Sequence, residues 1–178
     1  MGSTEDEIED ELEKVMRPEH WESAIALIEQ VAAERRSARL NWSHGWALFK
    51  LDRFFAAAQS LRRAVLQEVT NPVNHWALGV VLTECGDLHG AEHHLWKALS
   101  IKDSGLARLN LAIVYMNQRR FADAERVHLD GIDLKPNSRK RLEAYADFLD
   151  DRGRETEAAA IRDQAKTLPA KSPRQDLL

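Results

Sequence analysis

A few residues in this chain have the types and spacing that chemistry requires. His89, Glu92 and His93 stand in an H-x-x-E-H arrangement. On a helix, histidines four apart share a face and can grip a zinc ion, with the glutamate beside them as a base. Cys85 is the single cysteine, next to Gly86. A thiol needs a neighbouring base or cation to become a nucleophile, and the sequence offers none there. Glu143, Asp147, Asp150 and Asp151 form a run of carboxylates. Their helical spacing lays them along one face, without the glycine-turned loop of a calcium hand. His44 and His75 read as partly buried, hydrogen-bonded histidines. No glycine-rich phosphate loop and no nucleophile elbow is present.

These candidates do not add up to a catalytic site. The H-x-x-E-H stretch lacks an identifiable third ligand, and its histidines are expected on the outer side of a helix. No enzyme activity and no cofactor is therefore expected. Metal binding through His89 and His93 is kept only as a minor alternative.

The chain has 178 residues, 44% of them apolar and 30% charged, with a net charge of -4. That suits one soluble domain with a sizeable core. The charge is too small to favour nucleic acid or an anionic membrane. The acidic N-terminus has no secretory pattern, and no run of about 18 apolar residues exists to insert into a bilayer. One cysteine forms no intrachain disulfide, which fits a reducing compartment. A cytoplasmic protein is expected.

The elements that position these residues are betrayed by a repeat. Ala24, Ala57, Ala91, Ala124 and Ala158 follow at spacings of 33, 34, 33 and 34. Seven residues after each stand Val31, Ala64, Ala98, Gly131 and Ala165. Twelve before each stand Leu12, Gly45, Gly79, Ala112 and Ala146. Small residues let helix backbones approach closely, and bulky ones fill the gaps. The period therefore predicts two antiparallel helices per copy. Leu51-Asp52-Arg53, Cys85-Gly86-Asp87 and Arg152-Gly153-Arg154 should separate first helices from second ones. Asn71-Pro72 and Lys135-Pro136-Asn137-Ser138 should separate the copies.

Segments 74–99 (NHWALGVVLTECGDLHGAEHHLWKAL) and 109–137 (LNLAIVYMNQRRFADAERVHLDGIDLKPN) resemble the tetratricopeptide repeat. The resemblance implies an all-α, right-handed superhelix. It would have four full repeats, at about 38–71, 72–104, 105–138 and 139–168. A divergent leading helix pair would fill residues 1–37, and a flexible tail 169–178. Asn41, His75 and Arg108 depart from the large residue the family prefers at that position.

In that family the first helix of each pair lines a concave groove. The register implies a peptide-binding groove made of Arg39, Trp42, Trp46, Phe49, Trp76, Val80, Leu109, Asn110, Ile113, Met116, Lys140, Glu143 and Asp147. Large apolar side chains on an open surface call for a cover. A foreign peptide, the chain's own leading helices or a second copy of the chain would each serve. The family's clamp for a C-terminal carboxylate needs paired cations, and neither matching frame (Trp42, Trp46, Ala77, Leu106 and Asn110, or Trp76, Val80, Asn110, Lys140 and Ala144) supplies such a pair.

The expected function is thus a non-catalytic adaptor or scaffold that holds an apolar or amphipathic segment of another protein. The alternative is a small chaperone of the same repeat type, for a secreted or membrane-active client.

Overall fold

The computed structural model describes residues 5–168, and among them there are helices and turns but no strand. The helices are α1 (Glu5–Val15), α2 (Trp21–Ile28), α3 (Ala38–Lys50), α4 (Phe54–Gln67), α5 (Pro72–Glu84) and α6 (Leu88–Ile101). They continue as α7 (Gly105–Asn117), α8 (Phe121–Leu134), α9 (Arg139–Asp151) and α10 (Glu155–Thr167). The tail expected at 169–178 lies outside the described residues. None of the described helices is long and apolar enough to cross a membrane.

The residues form two compact units, Met1–Asn110 and Leu111–Leu178, divided within α7. In the first unit α3 packs on α4 and α5 on α6, as paired antiparallel helices require, and α2 packs on α3. The marker residues Ala24, Ala57 and Ala91 are fully buried, as are Leu40, Leu61, Leu78 and Leu95. In the second unit α9 packs between α8 and α10, over Ala124, Leu142, Ala146, Leu149 and Ala158.

The glycines of the repeat mark close approaches. A β-carbon on Gly45 would lie 2.6 Å from Leu61 Cγ and 3.0 Å from the carbonyl oxygen of Ala57. At Gly79 the same atom would lie 2.6 Å from Leu95 Cγ. Each glycine thus lets the leucine of the second helix press onto the first.

The turn inside each full helix pair is built alike. Asp52, Gly86, Arg119 and Gly153 each stand five residues before the marker alanine, and all have positive φ, between 57° and 78°. The next amide then closes the turn: Arg53 donates to Leu48, Asp87 to Leu82, Arg120 to Tyr115 and Arg154 to Leu149. This left-handed closure satisfies carbonyls that the helix end leaves free.

The residues that depart from the family pattern are accommodated by polar contacts. Asn41, 1% exposed, donates to the carbonyl of Arg36 and to Gln67 Oε1. His75 Nε2 lies 3.0 Å from the Val69 carbonyl, and Arg108 Nε donates to Asp103 at 2.7 Å. Each replaces packing of a large ring by hydrogen bonds that a buried polar group needs.

The leading pair is shorter than the others. Pro18–His20 forms a single 3-10 turn and α2 has only eight residues. Even so, Ile8, Leu12, Ala24 and Ile28 are buried, so both helices contribute to the core.

Candidate functional site

The helical spacing of α3 brings Trp42, Trp46, Phe49 and Lys50 onto one side. Trp42 and Trp46 stack with ring centroids 5.7 Å apart and planes 8° from parallel. Phe49 tilts against Trp46 at 5.2 Å and against Phe54 of α4 at 6.0 Å. The neighbouring first helix adds Trp76, whose ring lies 5.3 Å from that of Trp46. Trp46 is therefore the hub of an aromatic face shared by α3 and α5, and Val80 stands one turn further along α5.

The tryptophans of this face are half-buried, yet the indole nitrogens of Trp42 and Trp76 are shut off from solvent. What these two side chains leave at the surface is therefore hydrocarbon. Lys50 lays its ammonium over the face, 5.0 Å from the Trp46 ring centre and 5.4 Å from that of Phe49. A cation over an aromatic face is drawn to the ring quadrupole.

Arg39, at the start of α3, is engaged by the leading helix. Its guanidinium meets Glu9 at 3.1 Å and Glu13 at 2.6 Å. Glu9 also accepts from the Ser37 hydroxyl at 2.8 Å. Helix α1 thus holds the Arg39 end of α3 but leaves the tryptophans partly open.

The remaining groove candidates occupy α7 and α9. Leu109 and Ile113 are 39% and 40% exposed on α7. Met116 is half-buried, and the Asn110 side chain donates to the Leu106 carbonyl of its own helix. On α9, Lys140, Glu143 and Asp147 are exposed. Arg162 of α10 reaches Asp147 at 2.8 Å and Asp150 at 2.6 Å, so two of the carboxylates in that run already have a cation.

The histidine motif divides. His89 and His93 are exposed on α6, whereas His94 turns inward to His75. The two Nδ1 atoms are 3.0 Å apart. Because the Val69 carbonyl can only accept, His75 carries its proton on Nε2, and Nδ1 of the neutral ring must accept from His94. Burial, then the neighbouring histidines, pushes His94 down to about 4. Among the described residues no cluster of three or more metal-binding side chains forms. His44 is buried, with Nδ1 2.8 Å from Ser60 Oγ, and burial followed by the nearby Arg36 lowers its pKa. Burial pushes the Cys85 thiol up, which makes it less reactive.

A separate shallow cleft is lined by Ala33, Glu34, Asn41, Arg63, Leu66 and Gln67. None of the aromatic face lines it.

Four partners carry no motif of their own in the sequence: Glu9, Glu13, His94 and Arg162. The first two do carry a usable signal. They are one helical turn apart on α1, and they precede Arg39 by 30 and 26 residues, about one and two helical turns short of a full repeat. Stacked repeats bring such positions side by side.

Residues 106–135, from α7 to α8, match the tetratricopeptide repeat family model. The helix pairs and buried small residues along the rest of the described chain follow the same repeating pattern. Its fold is similar to that of MamA from Desulfovibrio magneticus RS-1, solved from position 41 to the end. The TM-score there is 0.76 at 16% identity, over 94% of this chain and 96% of that one. A second MamA structure matches with a TM-score of 0.75 at 19% identity, over 97% and 100% of the two chains. MamA of strain AMB-1 gives 0.71 at 21% identity, over 89% and 95%. Among curated proteins no match is found.

Proposed function

We propose that the chain is a non-catalytic scaffold that binds an apolar or amphipathic segment of another protein against α3 and α5. The observation that carries this reading is the joined face of Trp42, Trp46, Phe49 and Trp76. Aromatic side chains give large contact area at small entropic cost, and they dominate binding hot spots. The similarity to tetratricopeptide-repeat structures supports it, since such repeats present their first helices to ligands. Leu109 and Asn110 on α7 would extend the contact within the same compact unit.

The test is a Trp42→Ala, Trp76→Ala double variant, titrated calorimetrically with an amphipathic helical peptide. Retained helix content with lost binding supports the proposal, and unchanged binding overturns it. If the variant unfolds, hydrogen exchange of the unaltered chain decides. The peptide should slow exchange in α3 and α5; protection confined to other helices sinks the reading.

A further inference from the structure

The aromatic face already carries a cation, and this says what its ligand should contain. Lys50 belongs to the last turn of α3, one helical turn after Trp46, and its side chain has folded back over the rings. Its ammonium is shared between Trp46 and Phe49 at 5.0 Å and 5.4 Å. Phe54, 6.0 Å from Phe49, extends the same platform. Such a site prefers an alkylammonium or guanidinium over a neutral alkyl group of the same length, because the ring quadrupole attracts positive charge in addition to the dispersion contact that any alkyl stem makes.

The neighbouring charges favour the same occupant. Arg39, the other cation on this side of α3, is neutralised by Glu9 and Glu13. The two glutamates outnumber the arginine they hold, so this end of the face carries a net negative charge. A basic segment complements that charge, and an acidic one is repelled by it.

We propose that the ligand of this face is a basic amphipathic segment, whose lysine or arginine takes the place of Lys50 over Trp46 and Phe49. This rests on the binding reading above and adds the chemistry of the partner. Lys50 then acts as an internal competitor: it covers the platform in the free protein and yields it to the ligand. The aliphatic stem of the incoming residue covers the hydrocarbon that Trp42 and Trp76 expose, and its head lies where the Lys50 ammonium now sits.

Three helical peptides test this, identical except that one position is lysine, norleucine or glutamate. Each is titrated into the full chain and into a Lys50→Met variant, with tryptophan fluorescence as the readout. The lysine peptide should bind about tenfold tighter than the norleucine peptide. Lys50→Met should tighten the lysine peptide about threefold, by removing the competitor, without tightening the glutamate peptide as much. Equal affinity of all three peptides would overturn this inference while leaving the binding surface intact. Failure of all three to bind would overturn the binding reading itself. Weaker lysine-peptide binding to Lys50→Met would show that Lys50 organises the face rather than competing for it, and would also overturn the inference.

Discussion

Gly45 and Leu61 are in such close register that a β-carbon on the glycine would meet the leucine Cγ at 2.6 Å. In an ordinary helix interior, replacing Gly by Ala stabilises by about 1 kcal/mol. Here the added methyl would press on a branched carbon and on the Ala57 carbonyl oxygen, and neither is the free end of a flexible chain. Overpacking costs about 1–3 kcal/mol, so it outweighs the propensity gain. Gly45→Ala should therefore lower the thermal midpoint, read by circular dichroism. Leu61→Ala should relieve part of that loss, making the double variant less destabilised than the two single effects added.

Gly86 is needed for a different reason, and the contrast can be measured. Nothing lies within 4 Å of a β-carbon built on it, but its φ is +78°. Gly86→Ala should still cost about 1 kcal/mol, through backbone strain alone. Arg119 occupies the matching turn position with φ 61° and bears that strain already. Arg119→Gly should thus stabilise by a few tenths to about 1 kcal/mol, since relief of strain exceeds the added flexibility of the unfolded chain. Chemical denaturation of both variants checks the pair. A loss of stability in Arg119→Gly would contradict the turn geometry.

How much of the molecule is legible in its sequence follows from what each feature depends on. The marker alanines and Gly45 are legible because a close helix contact forbids large side chains at fixed intervals, whatever the partner. The tryptophan face is legible from spacing on α3, and from the one-repeat offset between Trp42 and Trp76. Asp52 and Arg119 are harder, because a non-glycine residue in a left-handed turn carries a weak local signal. The hold of Arg162 on Asp147 and Asp150, and of Glu9 and Glu13 on Arg39, depends on long side chains meeting across helices. Residue type does not specify such meetings. His94 shows the same limit: the sequence groups it with His89 and His93, while the helix turns it toward His75.

Acid should unfold this protein through its buried histidines. His128 is buried against Phe148 and Tyr145, and burial lowers it to about 4, as for His94. In the unfolded chain a histidine titrates near about 6.5. A depressed folded value means that the unfolded state takes up protons first. Stability is thus fully present above about pH 6.5 and falls as the pH drops toward 4, with a slope of at most ~1.4 kcal/mol per pH unit for each such histidine. His128→Leu, which restores the residue type of Leu61 and Leu95, should flatten that limb while leaving the neutral-pH midpoint equal or higher. Denaturation midpoints across this pH range decide it; an unaltered acid limb in the variant would contradict the assignment.

Ser37 ties the leading helix to the first full repeat through one oxygen. Its hydroxyl oxygen accepts from the amide of Leu40, capping α3, and its hydrogen goes to Glu9 of α1. Asn71 provides a comparison, since it caps α5 through the amide of Val73 without any bond to α1. Removing either cap should cost about 1 kcal/mol of global stability. Only Ser37→Ala should also loosen α1, because Glu9 then holds that end of the chain through Arg39 alone, and an exposed ion pair contributes little. Amide exchange in α1 should accordingly quicken in Ser37→Ala and stay as it is in Asn71→Ala, while α4 and α6 remain protected in both. Equal exchange of α1 in the two variants would show that Ile8 and Leu12, by burial alone, fix the leading helix.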